Sequence, residues 1–364
     1  MKLFHILDKL LELKRHFSNR GGPANGVLLI SAGGLGDTVL FSLLAGRFKS
    51  IAHEGEPVTV LLRNDARKMA FLLPGDMGLE IVDFGQLRKS LSYRRKVADR
   101  LFKAHYRLVI STDQLRHPDL DEALVKMASP EQAIAMEPRT WPKYDAALKA
   151  NRGLYSRLFD SGPDRLDKVV RWSRFCDWLT GTEITPPKVQ IDMEGRSGER
   201  FDVLIQPFSA VAGKQSPVAL YRHIIESLPQ GTSVALTGAP GDMDANPDYQ
   251  RLLSLPGVSF NSNGFEELVP ALQAARLVIS VDTALMHLAV ALGAPTICLA
   301  SAAYVGEIVP YAPEIKPENV HFIYQPMDCE GCLGNCHLAP IDGMYPCVAG
   351  IEAERVVALI KEIL

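Results

Sequence analysis

The sequence predicts an α/β protein made of two doubly wound domains, each a parallel sheet between helices. Three observations carry this expectation. Short β-branched or apolar runs alternate with segments of helical period along nearly the whole chain, which is βα repetition. Strand–turn–helix segments with ligand-facing residue types stand near both ends, at Val27–Thr38 and at Leu277–Pro295. The length of 364 residues exceeds what one hydrophobic core usually organises.

The elements follow in order. Residues 1–20 carry Leu3, Ile6, Leu7, Leu10, Leu11, Leu13 and Phe17 as an apolar stripe opposite Lys2, Lys9, Arg15 and Arg20, which predicts an amphipathic helix. Such a helix packs on its own domain or on a second subunit, or it lies in a lipid interface. Lys2, Asp8, Lys9, Glu12, Lys14 and Arg15 interrupt any apolar core there, so the segment does not read as a secretory signal. No run approaches the ~20 apolar residues of a membrane span, and a cytoplasmic protein is expected. Strands are expected at 27–31, 58–62, 79–83, 107–111 and 132–136. A polar, basic stretch at 137–165 then breaks the pattern, before a helix from Leu166 to Leu179 and a linker that starts at Thr185-Pro186-Pro187. The second domain begins near residue 200, with strands expected at 203–207, 233–237, 257–260, 277–280, 296–300 and 320–324. The expected division is 1–190 for the first domain, 200–350 for the second, and 351–364 for a closing helix.

Two segments carry candidate chemistry. After the strand Leu277–Ser280, Asp282 and Thr283 cap a helix on which Leu285, Leu288, Ala289 and Leu292 recur until Gly293 and Pro295 stop it. The N–H groups of Thr283 and Ala284 can face an anion, to which the helix dipole adds ~0.3–2 kcal/mol. An ordinary capped helix is the alternative. In Val27–Thr38, Gly33, Gly34 and Gly36 permit positive φ and close approach of a ligand, and Asp37 places a carboxylate at the strand's carboxyl end. Gly34-Leu35-Gly36 lacks the third glycine of a dinucleotide fingerprint, and no Gly-Lys-Ser/Thr forms a Walker loop. Composition agrees with a globular enzyme: 47% hydrophobic, 22% charged, and a net charge of -3 that gives no global attraction to nucleic acid.

Four of the six cysteines cluster, as Cys329, Cys332, Cys336 and Cys347 in the spacing C-x2-C-x3-C-x10-C. In a reducing compartment that favours metal thiolates over disulfides, with structural zinc or a single iron as occupant. An iron–sulfur cluster, His337 in place of one thiolate, and four free or differently paired thiols are the other possibilities. The loop 329–347 holds Gly331, Gly334, Asn335, Pro340, Gly343 and Pro346 and so has little core of its own; a metal would fold it.

Gly33 to Leu40 with Gly36-Asp37, and Asp282 to Pro295 with His287, resemble glycosyltransferase family 9, the ADP-heptose:lipopolysaccharide heptosyltransferase family. Leu204–Ala210 followed by Lys214, and Val234–Pro240, are similar to two further strand–loop motifs of that family, in the expected order. The resemblance implies the GT-B fold: two Rossmann-like domains facing a central cleft, the first on the acceptor side and the second binding the nucleotide sugar. It implies an inverting glycosyltransferase, without a catalytic metal, moving a heptose from ADP-heptose to a hydroxyl of a lipopolysaccharide core or related cell-surface acceptor. Asp37 is then the catalytic base, and Gly33, Gly34 and Gly36 form the acceptor-side loop. Lys214, Thr283 and Ala284 meet the donor diphosphate, Asp282 and His287 orient sugar or phosphates, and Asp242, or Asp244, bonds the ribose hydroxyls. Ala284 stands where the family more often has glycine, and Lys214 lacks the tryptophan that often follows it in relatives. The implied partners are the donor and a lipid-linked saccharide or protein acceptor, with peripheral contact at the inner face of a bacterial inner membrane. A branch of the family that glycosylates bacterial autotransporters has an iron-binding, cysteine-rich segment near its C-terminus. A protein heptosyltransferase is therefore one alternative, and a non-catalytic nucleotide-sugar-binding protein of the same fold is another.

Overall fold

The computed structural model describes residues 3–18 and 20–364; Lys2, assigned above to the polar face of the N-terminal helix, lies outside the described residues. The chain divides into two compact units, one of Met1–Asp164 with Arg171–Thr185, the other of Arg165–Val170 with Pro186–Leu364.

In the first unit, β1 (Val27–Ser31), β2 (Val58–Arg63), β3 (Gly78–Val82), β4 (Leu108–Ser111), β5 (Gln132–Met136) and β6 (Arg157–Phe159) form one sheet in the order β3-β2-β1-β4-β5-β6. Every pairing is parallel, with Val27 opposite Val58 on one side and Leu108 on the other. The helices are α1 (Leu3–His16), α2 (Leu35–Lys49), α3 (Phe84–Lys89), α4 (Leu91–Ala104), α5 (Asp121–Ala128) and α6 (Asp145–Ala150), while α7 (Lys168–Thr180) spans the division between units. β1 and β4 are buried along their whole length, because parallel sheets are covered by helices on both faces and so read as unbroken apolar runs.

The second unit repeats the plan with β7 (Val203–Gln206), β8 (Val234–Thr237), β9 (Val258–Asn261), β10 (Leu277–Val281), β11 (Thr296–Leu299) and β12 (Val320–Ile323), ordered β12-β11-β10-β7-β8-β9 and again all parallel. Its helices are α8 (Val218–Glu226), α9 (Asp242–Ala245), α10 (Val269–Ala274), α11 (Ala284–Ala291), α12 (Pro346–Ala349) and α13 (Ala353–Ile363). Tyr221, Ile224, Leu252, Ile279, Ile297 and Val356 are inaccessible to solvent in its core; full burial of such a side chain contributes about 1.5–3 kcal/mol.

The strands expected from the sequence all form, within a residue or two. β6 lies inside the stretch where the pattern breaks. It is three residues long, only part-buried, and paired on one side alone, so it has no apolar run to announce it. Both sheets have the doubly wound order in which strand direction of growth reverses once, between β1 and β4 and between β7 and β10. Open α/β sheets bind ligands in the crevice outside the carboxyl ends of those two strands.

Candidate functional site

The reversal in the second unit brings together residues that are 68 positions apart in sequence. After β7 the chain turns through a short 3-10 segment, Ala212–Lys214, and after β10 it reaches Asp282. The Lys214 ammonium lies 2.7 Å from Asp282 Oδ2, with side-chain exposures of only 11% and 6%. It also donates to the Asp282 backbone carbonyl at 3.2 Å and sits 4.5 Å from the centre of the Tyr304 ring. Burial by itself would pull the ammonium's pKa down, but the adjoining Asp282 carboxylate outweighs it and the net shift is upward. Lys214 is therefore a buried, held group whose charged form the Asp282 carboxylate favours.

Next to this pair, Thr283 is the N-cap of α11 in extended geometry, and its side chain makes no capping hydrogen bond. The Thr283 hydroxyl stands 3.4 Å from Ser280 Oγ. The first-turn N–H groups of α11 that begin at Ala284 thus lack the side-chain oxygen that usually occupies them, and an anion suits that position. His287, one turn along, is buried, with Nδ1 2.6 Å from the Tyr311 hydroxyl. Asp242 lies one strand away, after β8, where its carboxylate accepts the Ala239 N–H at 2.7 Å and closes the loop. Gly238 is required there, since a Cβ would fall 2.7 Å from the Phe208 ring. Lys214, Asp282, Thr283 and Ala284 are assembled at the reversal, His287 is turned toward Tyr311, and Asp242 flanks the group.

In the first unit, the loop after β1 leads into α2, whose N-cap is Gly34. Asp37 is the third residue of the helix and folds back, its Oδ2 accepting the Gly34 N–H at 2.7 Å. Gly33, Gly34 and Gly36 permit positive φ, and none of the three adopts it. Gly33 is needed for space: a Cβ would lie 2.4 Å from that of Asp37. Across the reversal, Thr112 ties the end of β4 to β1 by donating to the Ile30 carbonyl from both N–H and hydroxyl. Asp113 follows it, 5% exposed. The sequence reading passed over Asp113, Tyr304 and Tyr311. An acidic residue two positions past the apolar run Leu108–Ser111 was the available signal for the first; nothing local marks the two tyrosines.

Cys329, Cys332, Cys336 and Cys347 line one small cavity together with Met327, Leu338 and Tyr345. Burial raises the Cys347 thiol's pKa, and its sulfur accepts the Ala302 N–H at 3.4 Å. As the side chains stand, no three His, Cys, Asp or Glu among the described residues are grouped to hold a metal ion. The loop is packed on the Lys214 segment. Tyr345 N–H donates to the Gly213 carbonyl at 2.8 Å, Gly213 has no room for a Cβ beside the Tyr345 ring, and Gly331 and Leu333 donate to the carbonyls of Ala302 and Ala303.

Two parallel six-stranded sheets of doubly wound order, each with polar groups at its reversal, define a GT-B protein, with the fold of heptosyltransferase-like glycosyltransferases. Residues 177–331 match the model of Glycosyltransferase family 9 (heptosyltransferase). Among solved structures, the chain is similar to Escherichia coli ADP-heptose LPS heptosyltransferase II, at 14% identity and a TM-score of 0.67, covering 93% of this chain and 98% of that one. It is similar to E. coli heptosyltransferase WaaC, crystallised with ADP-2-deoxy-2-fluoro heptose, at 19% identity and TM-score 0.64, over 92% and 99% of the two chains. A third match is the iron-containing dodecameric glycosyltransferase TibC of enterotoxigenic E. coli, at 14% identity and TM-score 0.50, over 94% of this chain and 76% of that one. No curated protein sequence matches the chain. No helix among the described residues is long and apolar enough to cross a membrane.

Proposed function

We propose that the protein is an inverting heptosyltransferase that takes its sugar from ADP-heptose and places it on a hydroxyl of a lipopolysaccharide core or related cell-surface acceptor. The observation that carries the donor half is the Lys214–Asp282 pair beside the uncapped start of α11, at the strand reversal of the second unit. An ADP diphosphate there meets one fixed ammonium and first-turn N–H groups. Of the two similar heptosyltransferases described above, one is named for ADP-heptose and the other was crystallised with an ADP-heptose analogue.

In the reaction, the acceptor oxygen forms a bond to the anomeric carbon as the bond from that carbon to the diphosphate oxygen breaks. The configuration inverts because one displacement occurs. The acceptor proton passes to the Asp37 carboxylate, and the charge that develops on the leaving ADP is met by Lys214 and by the N–H groups of Thr283 and Ala284. Asp282 keeps the Lys214 ammonium charged and aimed. His287, through Tyr311, fixes the first turn of α11. Asp242 serves the ribose side. No step calls for a metal.

The four thiols that line one cavity suit structural zinc or iron in donor chemistry. Binding would order the loop 329–347 and brace the Gly213–Lys214 segment through Tyr345. This cavity favours a second reading of the acceptor, a protein instead of a saccharide, as in the autotransporter-glycosylating branch whose cysteine-rich, iron-binding segment the loop resembles; the similar TibC is iron-containing.

Thermal unfolding against ADP, GDP, UDP and ADP-heptose tests the donor. At a ligand concentration about 100-fold above Kd, stabilisation is about 2.7 kcal/mol. Shifts with ADP and ADP-heptose alone are expected. A shift with only GDP or UDP would discard the donor, and none with any of the four would move the chain to a non-catalytic role.

A further inference from the structure

We propose that Tyr304 is a positioning residue of the donor site, whose ring face holds the Lys214 ammonium in place and keeps water from one side of it. Tyr304 acts through Lys214, and its role rests on the reading that Lys214 meets the donor diphosphate.

Lys214 has need of such a group. Its ammonium stands on a flexible four-carbon stem. Among the described residues its polar contacts both lie on one partner, the Asp282 carboxylate at 2.7 Å and the Asp282 carbonyl at 3.2 Å. Contacts on a single residue leave the ammonium able to swing about that residue. The Tyr304 ring, whose centre is 4.5 Å from the ammonium, comes from a different part of the sheet, the loop that follows β11. It supplies the third point that stops the swing.

The backbone that carries the ring is fixed independently of Lys214. Ala302–Tyr304 is one short 3-10 segment in which Ala302 and Ala303 are buried. The Ala302 N–H donates to the Cys347 sulfur, and the carbonyls of Ala302 and Ala303 accept the N–H groups of Gly331 and Leu333, each at 2.8 Å. The Tyr304 carbonyl accepts from Glu307 and from Ile308 at 3.1 Å. Gly334 lies against the phenol, since a Cβ there would be 3.8 Å from the Tyr304 hydroxyl. The ring is thus set by its own loop and by the cysteine-rich loop, and the lysine is placed against it.

The chemistry of the ring suits this task. A π face attracts a cation within about 6 Å of its centre through the ring quadrupole. A carbonyl in its place would take another N–H of the ammonium, and a carboxylate would cancel the charge as well. The ring does neither. It covers one side of a side chain that is 11% exposed and leaves the charge for a phosphate, which feels it more strongly where water is excluded.

Calorimetric titration of the full chain with ADP tests the role, with melting temperatures measured alongside. Tyr304→Phe keeps the ring and should bind within about twofold of wild type. Tyr304→Leu removes the π face and should raise the ADP Kd about 5- to 30-fold. Pentafluorophenylalanine placed at 304 has nearly the shape of phenylalanine but an electron-poor face, so it should weaken binding as leucine does; a ring that only filled space would not respond. In the K214M background, Tyr304→Leu should weaken ADP binding no further, because the ring works through the ammonium. Wild-type affinity in the leucine or the pentafluorophenylalanine variant would overturn the proposal, as would an undiminished leucine effect in the K214M background. If K214M itself bound ADP as wild type does, the donor-site reading would fall and this role with it; K214M weakened with Tyr304→Leu unaffected would remove Tyr304 alone.

Discussion

Replacing Lys214 by methionine removes one member of a buried ion pair and keeps most of its volume. The pair is 2.7 Å long with both side chains nearly inaccessible, so the substitution leaves the Asp282 carboxylate buried without its counter-charge. Breaking such a pair costs about 3–5 kcal/mol. In a unit of this size, each kcal/mol corresponds to about 2–4 °C, and K214M should melt about 6–20 °C lower. The double variant K214M/D282N, which removes both charges, should recover much of that loss, since the penalty is for the unpaired charge and not for the missing bond. Donor binding separates the functional role from the structural one. A charged hydrogen bond contributes about 1.5–3 kcal/mol, so the ADP dissociation constant, measured by calorimetry below the melting range, should rise about 10- to 100-fold in both the single and the double variant. If the double variant folds and binds ADP as the wild type does, Lys214 is a structural lysine and the donor site has been placed wrongly.

Three further outcomes are expected. Asp37→Asn keeps an oxygen to accept the Gly34 N–H, so it should fold and bind ADP normally while turnover falls by about 10²–10⁴; an undiminished rate in a coupled ADP-release assay would remove Asp37 from the base role. Asp121 accepts the His117 N–H, and burial raises its pKa from 3.8 to about 6. The native state therefore binds this proton more tightly than the unfolded chain does, and the stability it contributes is full below about pH 4 and lost as pH rises through about 6. The shift of about two units corresponds to about 3 kcal/mol, so Asp121→Asn should gain stability over wild type across that window in urea melts; a difference independent of pH would refute the account. For the cysteine loop, about one metal ion per chain is expected by elemental analysis after reducing purification, and its removal by chelation should lower the melting temperature and weaken ADP binding through Tyr345 and Gly213. A metal-free protein whose Cys329→Ser and Cys332→Ser variants bind ADP normally would leave the loop without that role.

How much of this was legible beforehand depended on range. The apolar runs at 27–31, 203–207 and 277–280 announced β1, β7 and β10 because strands buried on both faces need unbroken apolar sequence. Asp282–Thr283 were legible for a related reason: a polar residue directly after such a run has to emerge at the carboxyl end of the sheet. Asp37 was legible from the glycine turn that carries the chain from that end of β1 into the first turn of α2. The three glycines at 33, 34 and 36 permit positive φ without adopting it, because a glycine's freedom is visible in sequence but its use is not; Gly33 serves to clear Asp37. β6 escaped notice because an edge strand of three residues buries too little to leave a pattern.

The sequence by itself determined the two βα units, their strands apart from β6, the candidate carboxylate and the cysteine cluster, since each follows from local periodicity or spacing. The tertiary structure alone decided that Lys214 meets Asp282, that Tyr304 and Tyr311 flank the site, and that the cysteine loop packs on Gly213. Those facts depend on strand order, and parallel sheets connect neighbours through crossovers that place residues dozens of positions apart side by side. No local pattern encodes which strand becomes the neighbour of β7. That is settled by the packing of the whole sheet.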